Sequence, residues 1–285
     1  GMKQEKHPPV RTAALYYNRR RPEAAQAIRD TVFLLHDAGV NVRLFSPEDI
    51  DVPDYVVRAG LSEVLSGAQL AIVIGGDGSI LRVAAHAAPR GIPILGVNMG
   101  RLGFMCELEP SELSDIRTVL SGRYALERRM MLRVQTVHGG VVSPRGHVLN
   151  DAVLGRGHTG RILDLTVTAD GVEVGEYRAD ACIAATPTGS TAYSLAAGGP
   201  VIEPAARNII ITPVCAHALY ARSFVLAPSR RVTFSAGADA VLTLDGREPI
   251  LLPQGDFVAI SRSPYTTDLV RIRDRSVFDV LRSKL

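Results

Sequence analysis

Four residues, Gly75-Gly76-Asp77-Gly78, have the types and spacing to handle a phosphate. Glycines let a backbone come close to an anion. A helix starting just after them offers unpaired N–H groups and the positive end of its dipole. A carboxylate set among them can accept a proton from an attacking hydroxyl, or hold a cation that holds the phosphates. The plainer alternative is a tight turn in which Asp77 caps the following helix. The loop fits neither G-x-x-x-x-G-K-[ST] nor G-x-G-x-x-G, which disfavours ordinary P-loop NTPases and dinucleotide oxidoreductases.

Three further segments carry unusual residue choices. Asn98-Met99-Gly100-Arg101-Leu102-Gly103-Phe104 follows an apolar run, and its glycines suit a turn near a ligand. Asn150-Asp151 lies between two apolar stretches, where an amide beside a carboxylate can bond an adenine edge and a ribose hydroxyl; such a pair alone is more often a turn. Thr186-Pro187-Thr188-Gly189-Ser190-Thr191-Ala192-Tyr193-Ser194-Leu195 crowds hydroxyls and a glycine between a buried strand and a short helix that Gly198-Gly199-Pro200 ends. This stretch either presents donors to a polar ligand or is an elaborate helix cap using Thr188 or Ser190.

The elements that must position these residues read as two kinds. In the first third, strands at Arg11–Tyr17, Val40–Phe45, Leu70–Ile74 and Pro93–Val97 alternate with helices at Pro22–Ala38 and Ser79–Ala88. That alternation predicts an α/β domain with a Rossmann-like parallel sheet, the glycine loop sitting at a strand's carboxyl end. After about Leu126 short strands dominate: Leu132–Val137, Asp164–Ala169, Val172–Tyr177, Ala181–Ala185, Arg231–Ser235, Ala240–Leu244, Phe257–Ser261 and Asp268–Ile272, with Asp170-Gly171 a hairpin turn. The expected division is residues 1–125 as the α/β domain and 126–272 as a β-rich domain. A last helix, Ser276–Leu285, returns to the first.

Composition bounds the function. The chain has 285 residues, 46% hydrophobic and 21% charged, as in a globular protein with a substantial core. A formal charge of +3, no Trp and few aromatics argue against a nucleic-acid partner. The three cysteines and seven histidines are scattered, so no metal cage built by the protein alone is expected and the thiols read as free. No apolar run reaches the roughly 18–20 residues needed to span a bilayer, and the polar N-terminus carries no signal core, so a cytoplasmic location and no membrane partner are expected.

Together, Gly75–Gly78, Asn98–Phe104, Asn150-Asp151 and Asp180–Gly199, in this order, resemble the NAD kinase family, as do Ile211–Leu219 and Phe278–Leu285. The stretch Thr186–Leu195 is the most specific part; phosphofructokinases and diacylglycerol kinases carry loops similar to Gly75–Gly78. The resemblance implies transfer of a phosphoryl group from ATP, or inorganic polyphosphate, to the 2′-hydroxyl of the adenosine ribose of NAD. It also implies Mg²⁺ or a similar cation arriving with the phosphates, and a homodimer or homotetramer with shared NAD sites. Asp77 matches the family's catalytic aspartate, with Gly75, Gly76 and Gly78 as its loop. Phe104 matches a residue of the adenine pocket, and Asn150 and Asp151 the pair that holds the adenosine. Ser190, Thr191, Ala192 and Tyr193 match the rest of the NAD site, and Arg178 and Asp180 its nicotinamide end, partly from a neighbouring subunit. Arg82, Arg101 and Arg247 are candidates for the ATP phosphates. Asp151 departs from the Glu of many members, and Ala181 and Ala196 stand where Gly and a hydroxyl residue are common. Two alternatives stand beside this one: a non-catalytic NAD(H) sensor on the same scaffold, and a lipid or sugar kinase sharing the loop.

Overall fold

The computed structural model describes residues 5–17, 24–45, 50–100, 103–157, 162–217 and 221–273, with 280 and 282. The chain divides into two compact units, residues 1–128 with 267–285, and residues 129–266.

The first unit runs β1 (Glu5–Lys6), β2 (Thr12–Tyr17), α1 (Ala24–Asp37), β3 (Asn41–Phe45), β4 (Val57–Ala59), α2 (Leu61–Leu65), β5 (Leu70–Gly75), α3 (Asp77–Ala87), β6 (Ile94–Asn98) and α4 (Ile116–Leu120). Four pairings make a parallel sheet in the order β4-β3-β2-β5-β6, with Ile72 of β5 opposite Leu15 on one side and Leu95 on the other. Every residue of β5 is buried, the reason its sequence is apolar without alternation. Helix α1 turns Ile28, Val32 and Leu35 fully inward. Burying each contributes about 1.5–3 kcal/mol. Gly39, at φ 72°, takes the left-handed conformation that ends the helix. Strand order reverses between β2 and β5, which makes the carboxyl end of β5 a topological switch point, the usual ligand crevice of such sheets. The glycine loop leaves β5 at that end.

The second unit begins within β7 (Arg123–His138), which carries the chain into it, and continues β8 (Val141–Val148), β9 (Asp151–Gly155), β10 (Leu163–Ala169), β11 (Val172–Ala179), β12 (Ala181–Ala185), α5 (Tyr193–Ala196), β13 (Ile209–Val214), β14 (Phe224–Leu226), β15 (Val232–Ala236), β16 (Ala240–Leu244), β17 (Ile250–Leu252) and β18 (Phe257–Arg271). One antiparallel sheet is ordered β14-β13-β12-β9-β16-β17. In a second, β11-β10-β15-β18 pair in turn, and β7 pairs β8. Leu154, Cys182 and Leu242 of the first sheet meet Leu165, Phe234 and Ile260 of the second in one core, so the unit is a β-sandwich. The Asp170-Gly171 hairpin forms with φ 52° and 80°, as a type I′ turn requires.

An α/β first unit with a parallel sheet and a β-rich second unit are present as the sequence predicts. Details differ. Helix α3 starts at Asp77, two residues earlier than Ser79, because Gly76 and not Asp77 is its N-cap. Phe257–Ser261 and Asp268–Ile272 read as two strands but belong to the single strand β18. Pro264, which suggests a break, sits at an exposed position of that strand, where a missing N–H is tolerated. The end of β18 lies in the first unit, with Leu269 opposite Ile94. The expected last helix, Ser276–Leu285, lies outside the described residues apart from Val280, which is buried, and Arg282.

Candidate active site

In the first unit the site is built on Asp77. None of Gly75, Gly76 and Gly78 has a positive φ, so the backbone conformation does not itself demand glycine, and Gly76, not Asp77, caps the helix. A Cβ built on Gly76 or Gly78 would meet nothing within 4 Å. The protein's own packing therefore does not require glycine there, and the missing side chains leave the backbone open to close approach. Asp77 occupies the first turn of α3, and Ser79 and Ile80 N–H groups bond back to the Gly76 carbonyl.

The half-buried Asp77 carboxylate is held from across the loop. Its Oδ2 accepts the Phe104 N–H at 2.9 Å and its Oδ1 the Met105 N–H at 3.1 Å. A carboxylate has about four lone-pair sites, so each oxygen keeps one free. Gly103 makes the approach possible: a Cβ there would stand 2.2 Å from Asp77 Oδ1. Asn98, buried at the end of β6, donates its side-chain N–H to the Gly100 carbonyl and shapes the start of the same segment. Phe104 thus belongs to the Asp77 cradle through its backbone. Arg82 is exposed, five residues along α3 and about 140° round the helix from Asp77. Arg101 lies outside the described residues.

In the second unit Asn150 immediately precedes β9 and Asp151 opens it, and a residue that the sequence did not single out organises them. Asp245, at φ 49°, accepts backbone N–H bonds from Leu149 (2.8 Å), Asn150 (2.8 Å) and Asp151 (3.0 Å). The available signal was Asp245-Gly246 after an apolar strand, the same pairing that marks the hairpin at 170–171. Opposite, the Gly189 position admits no side chain, since a Cβ would lie 2.1 Å from the Asn150 carbonyl oxygen. Thr186 N–H donates to that same oxygen at 2.8 Å.

Most hydroxyls of Thr186–Leu195 build the turn. Thr186 Oγ1 donates to the Leu149 carbonyl and accepts the Gly189 N–H, and Ser194 bonds Thr212. Ser190, fully buried, places Oγ 2.7 Å from the Pro187 carbonyl and accepts the Ile202 N–H at 3.0 Å. Thr188 caps the 3₁₀ turn with no side-chain bond to it; its Oγ1 accepts from Arg129 Nη1 at 3.2 Å. Thr191 Oγ1 donates to the Thr188 carbonyl at 3.2 Å; Thr191 and Ala192 are half-buried, and Tyr193 is exposed. Tyr193 and Asp180 share a cleft of about 360 Å³ with Gly155, Arg156 and Val241. Arg156, which sequence reasoning missed, stands 3.4 Å from Asp180. Arg178 is exposed on β11, two residues before Asp180 in the chain. Arg247 spends donors on the Leu244 and His147 carbonyls, which makes it part of the Asp245 turn.

Burial raises the Asp151 carboxyl, and the nearby Asp245 charge raises it further, to about 7. Burial also raises Asp245, against the pull of its three N–H donors and Arg247. Those donors favour the charged form of Asp245, so the proton of the pair sits on Asp151. Both groups hold protons more tightly folded than unfolded. The contribution of Asp151 to stability is complete below the ordinary carboxylate range, about pH 4, and is lost as pH rises through about 7. The melting temperature is therefore expected to fall over that window, and Asp151→Asn to flatten the fall by up to about 1.4 kcal/mol per pH unit. Thermal melts of both proteins between pH 4 and 8 check this; parallel slopes would contradict it.

Comparison with known proteins places the chain. The model of the ATP-NAD kinase N-terminal domain matches residues 16–124, and that of the ATP-NAD kinase C-terminal domain residues 149–272. An NAD kinase of Syntrophotalea carbinolica is 36% identical over 97% of this chain and 98% of its own length. One from Symbiobacterium thermophilum is 45% identical over 75% of this chain and 77% of its own. Among solved structures, an Archaeoglobus fulgidus NAD kinase in complex with ATP superposes with TM-score 0.75 at 25% identity, covering 96% of this chain and 98% of that one. A yeast NADH kinase in complex with NADH shares the fold at TM-score 0.85, covering 96% and 86%, at 24% identity. With both family models matched in order, and a relative more than one-third identical along nearly the whole chain, this protein belongs to the NAD kinase family.

Proposed function

We propose that this chain transfers the γ-phosphoryl group of ATP to the 2′-hydroxyl of the adenosine ribose of NAD, giving NADP. The observation that carries the reading is the Asp77 carboxylate, half-buried at the mouth of β5 and at a helix N-terminus, fixed by two N–H groups yet keeping a free lone pair on each oxygen. Family membership supports the substrates, and the A. fulgidus NAD kinase bound to ATP supports the donor.

A ribose hydroxyl is a weak nucleophile at neutral pH. In this mechanism Asp77 accepts its proton as the phosphoryl group arrives. Such base help is worth roughly 10²–10⁴ in rate, or about 3–6 kcal/mol. The rest of phosphoryl transfer is positioning and charge neutralisation. The N–H groups of Gly76–Gly78 serve the phosphates. Phe104, Asn150, Asp151 and the segment Ser190–Tyr193 hold the adenosine half of NAD. Ser190 does so by shaping the turn, Thr191 and Tyr193 by direct contact. Arg178 and Asp180 hold the nicotinamide end, with a neighbouring subunit of a homodimer or homotetramer sharing the site.

Among the described residues no group of three or more His, Cys, Asp or Glu could hold a metal ion. An Mg²⁺ carried on phosphates needs only one or two protein carboxylates, and Asp77 fits one such place. The ion supplies neutralisation of phosphate charge. Among the described residues no helix is long and apolar enough to cross a membrane, and the proposed location is the cytoplasm. Neither the lipid or sugar kinase nor the binding-only sensor finds support, and a sensor has no use for Asp77.

An enzyme-coupled assay for NADP tests the reading. With NAD, ATP and Mg²⁺ it should show steady NADP formation. Replacing ATP by polyphosphate, or NAD by NADH, measures donor and acceptor choice. NAD binding with no product from any donor would sink it.

A further inference from the structure

The cradle that holds Asp77 is itself held from behind by a buried arginine. Arg271, 8% exposed, donates Nη2 to the Phe104 carbonyl at 3.3 Å, and Nη1 to the Met105 carbonyl at 3.1 Å and the Cys106 carbonyl at 3.3 Å. Its Nε meets Glu127 Oε2 at 2.6 Å, and its Nη1 also reaches Glu107 Oε2 at 3.3 Å. Glu107 is fully buried and accepts the N–H groups of Ile272 and Arg273, which locks the arginine's own backbone to the same segment. All of these residues lie in the first unit.

The two ends of one peptide unit carry the connection. The carbonyl of Phe104 accepts from Arg271, and the N–H of Met105, in that same peptide, donates to Asp77. A cation on the carbonyl polarises the peptide and strengthens its N–H as a donor. Segment 103–106 forms no strand or helix, so ladder bonds do not fix it. A planar fork reaching three successive carbonyls can; a lysine ammonium, a single point charge, cannot hold that spread.

We propose that Arg271 is a positioning residue for phosphoryl transfer: through the carbonyls of Phe104, Met105 and Cys106 it aims the N–H groups that place the Asp77 carboxylate. The inference rests on Asp77 being the base. An arginine that only braces the fold would change stability and leave turnover per folded molecule alone.

The test is a double-mutant cycle on kcat, with KM for NAD and ATP measured alongside. Arg271→Lys should lower kcat about 10-fold, as expected for sub-ångström misplacement of a reacting group, with both KM values changed less than about 2-fold. In an Asp77→Asn background the same change should cost less than about 2-fold, because there is no base left to place. Glu127→Gln, which loosens only the Nε end, is the milder variant should Arg271→Lys fold poorly. It should cost about 3-fold in wild type and close to nothing in Asp77→Asn. Equal losses in both backgrounds, or wild-type turnover in Arg271→Lys, would overturn the proposal. An Asp77→Asn protein that turns over normally would instead overturn the base assignment on which it rests.

Discussion

Asp77→Asn should lower kcat by about 10²–10⁴-fold while the KM for NAD moves less than about 3-fold. The carboxylate makes two bonds, to Phe104 and Met105 N–H, and neither recognises a substrate. Asparagine keeps the size of the side chain and one acceptor oxygen. It removes the base and sets an NH₂ against one of the two backbone N–H donors, so part of the loss comes from a tilted side chain. Asp77→Glu separates these contributions: it restores a base one methylene too long for the cradle, and should recover no more than a small fraction of the activity. Steady-state kinetics on the three proteins decide the matter. A fall confined to KM would mean that Asp77 binds substrate and does not move a proton.

Gly103→Ala should cost about 10²-fold in kcat although no chemical group of the site changes. Its Cβ would stand 2.2 Å from Asp77 Oδ1, 2.7 Å from Cγ and 2.9 Å from Oδ2. Contact distances of about 3.4 Å or more are needed, so the carboxylate or segment 103–105 must shift by about 1 Å, a displacement that can cost 10²-fold at a reacting group. Relaxation by the loop is the competing effect. It is limited on the other side, where Phe104, Met105 and Cys106 carbonyls are bonded to Arg271. Kinetics together with a thermal melt check this: near-normal turnover would show that the segment gives way more easily than these contacts imply.

Much of this arrangement is legible in the chain, and the reasons differ by feature. Leu70–Ile74 followed by Gly75–Gly78 is a local signal, because a strand buried on both faces must be apolar throughout and a loop that meets phosphates must be free of side chains. The hairpin at Asp170-Gly171 is equally local. The partnership of Asp77 with residues 27 and 28 positions away is not. Gly103 shows in the sequence only as a glycine in a turn, and its need comes from a carboxylate brought over by α3. Asp245 grips Leu149, Asn150 and Asp151 from 94 to 96 residues away, and Arg271 reaches Phe104 across 167. Such pairs depend on which strands become neighbours, which periodicity does not encode. The hydroxyl-rich turn shows the opposite error. Its residue types suggest ligand donors, yet Thr186 and Ser190 bond the backbone of Leu149, Gly189, Pro187 and Ile202, Ser194 bonds the Thr212 hydroxyl, and Thr191 donates to the Thr188 carbonyl. Buried hydroxyls must be bonded, and a compact turn in a buried place needs several.

The most direct measurement follows label from [γ-³²P]ATP into NAD in the presence of Mg²⁺, with the wild-type chain and Asp77→Asn side by side. The wild type should place one labelled 2′-phosphate on NADP per ADP formed, and the variant should reach no more than about 1% of that rate. ADP released without labelled NADP, or equal labelling by the two proteins, would contradict it.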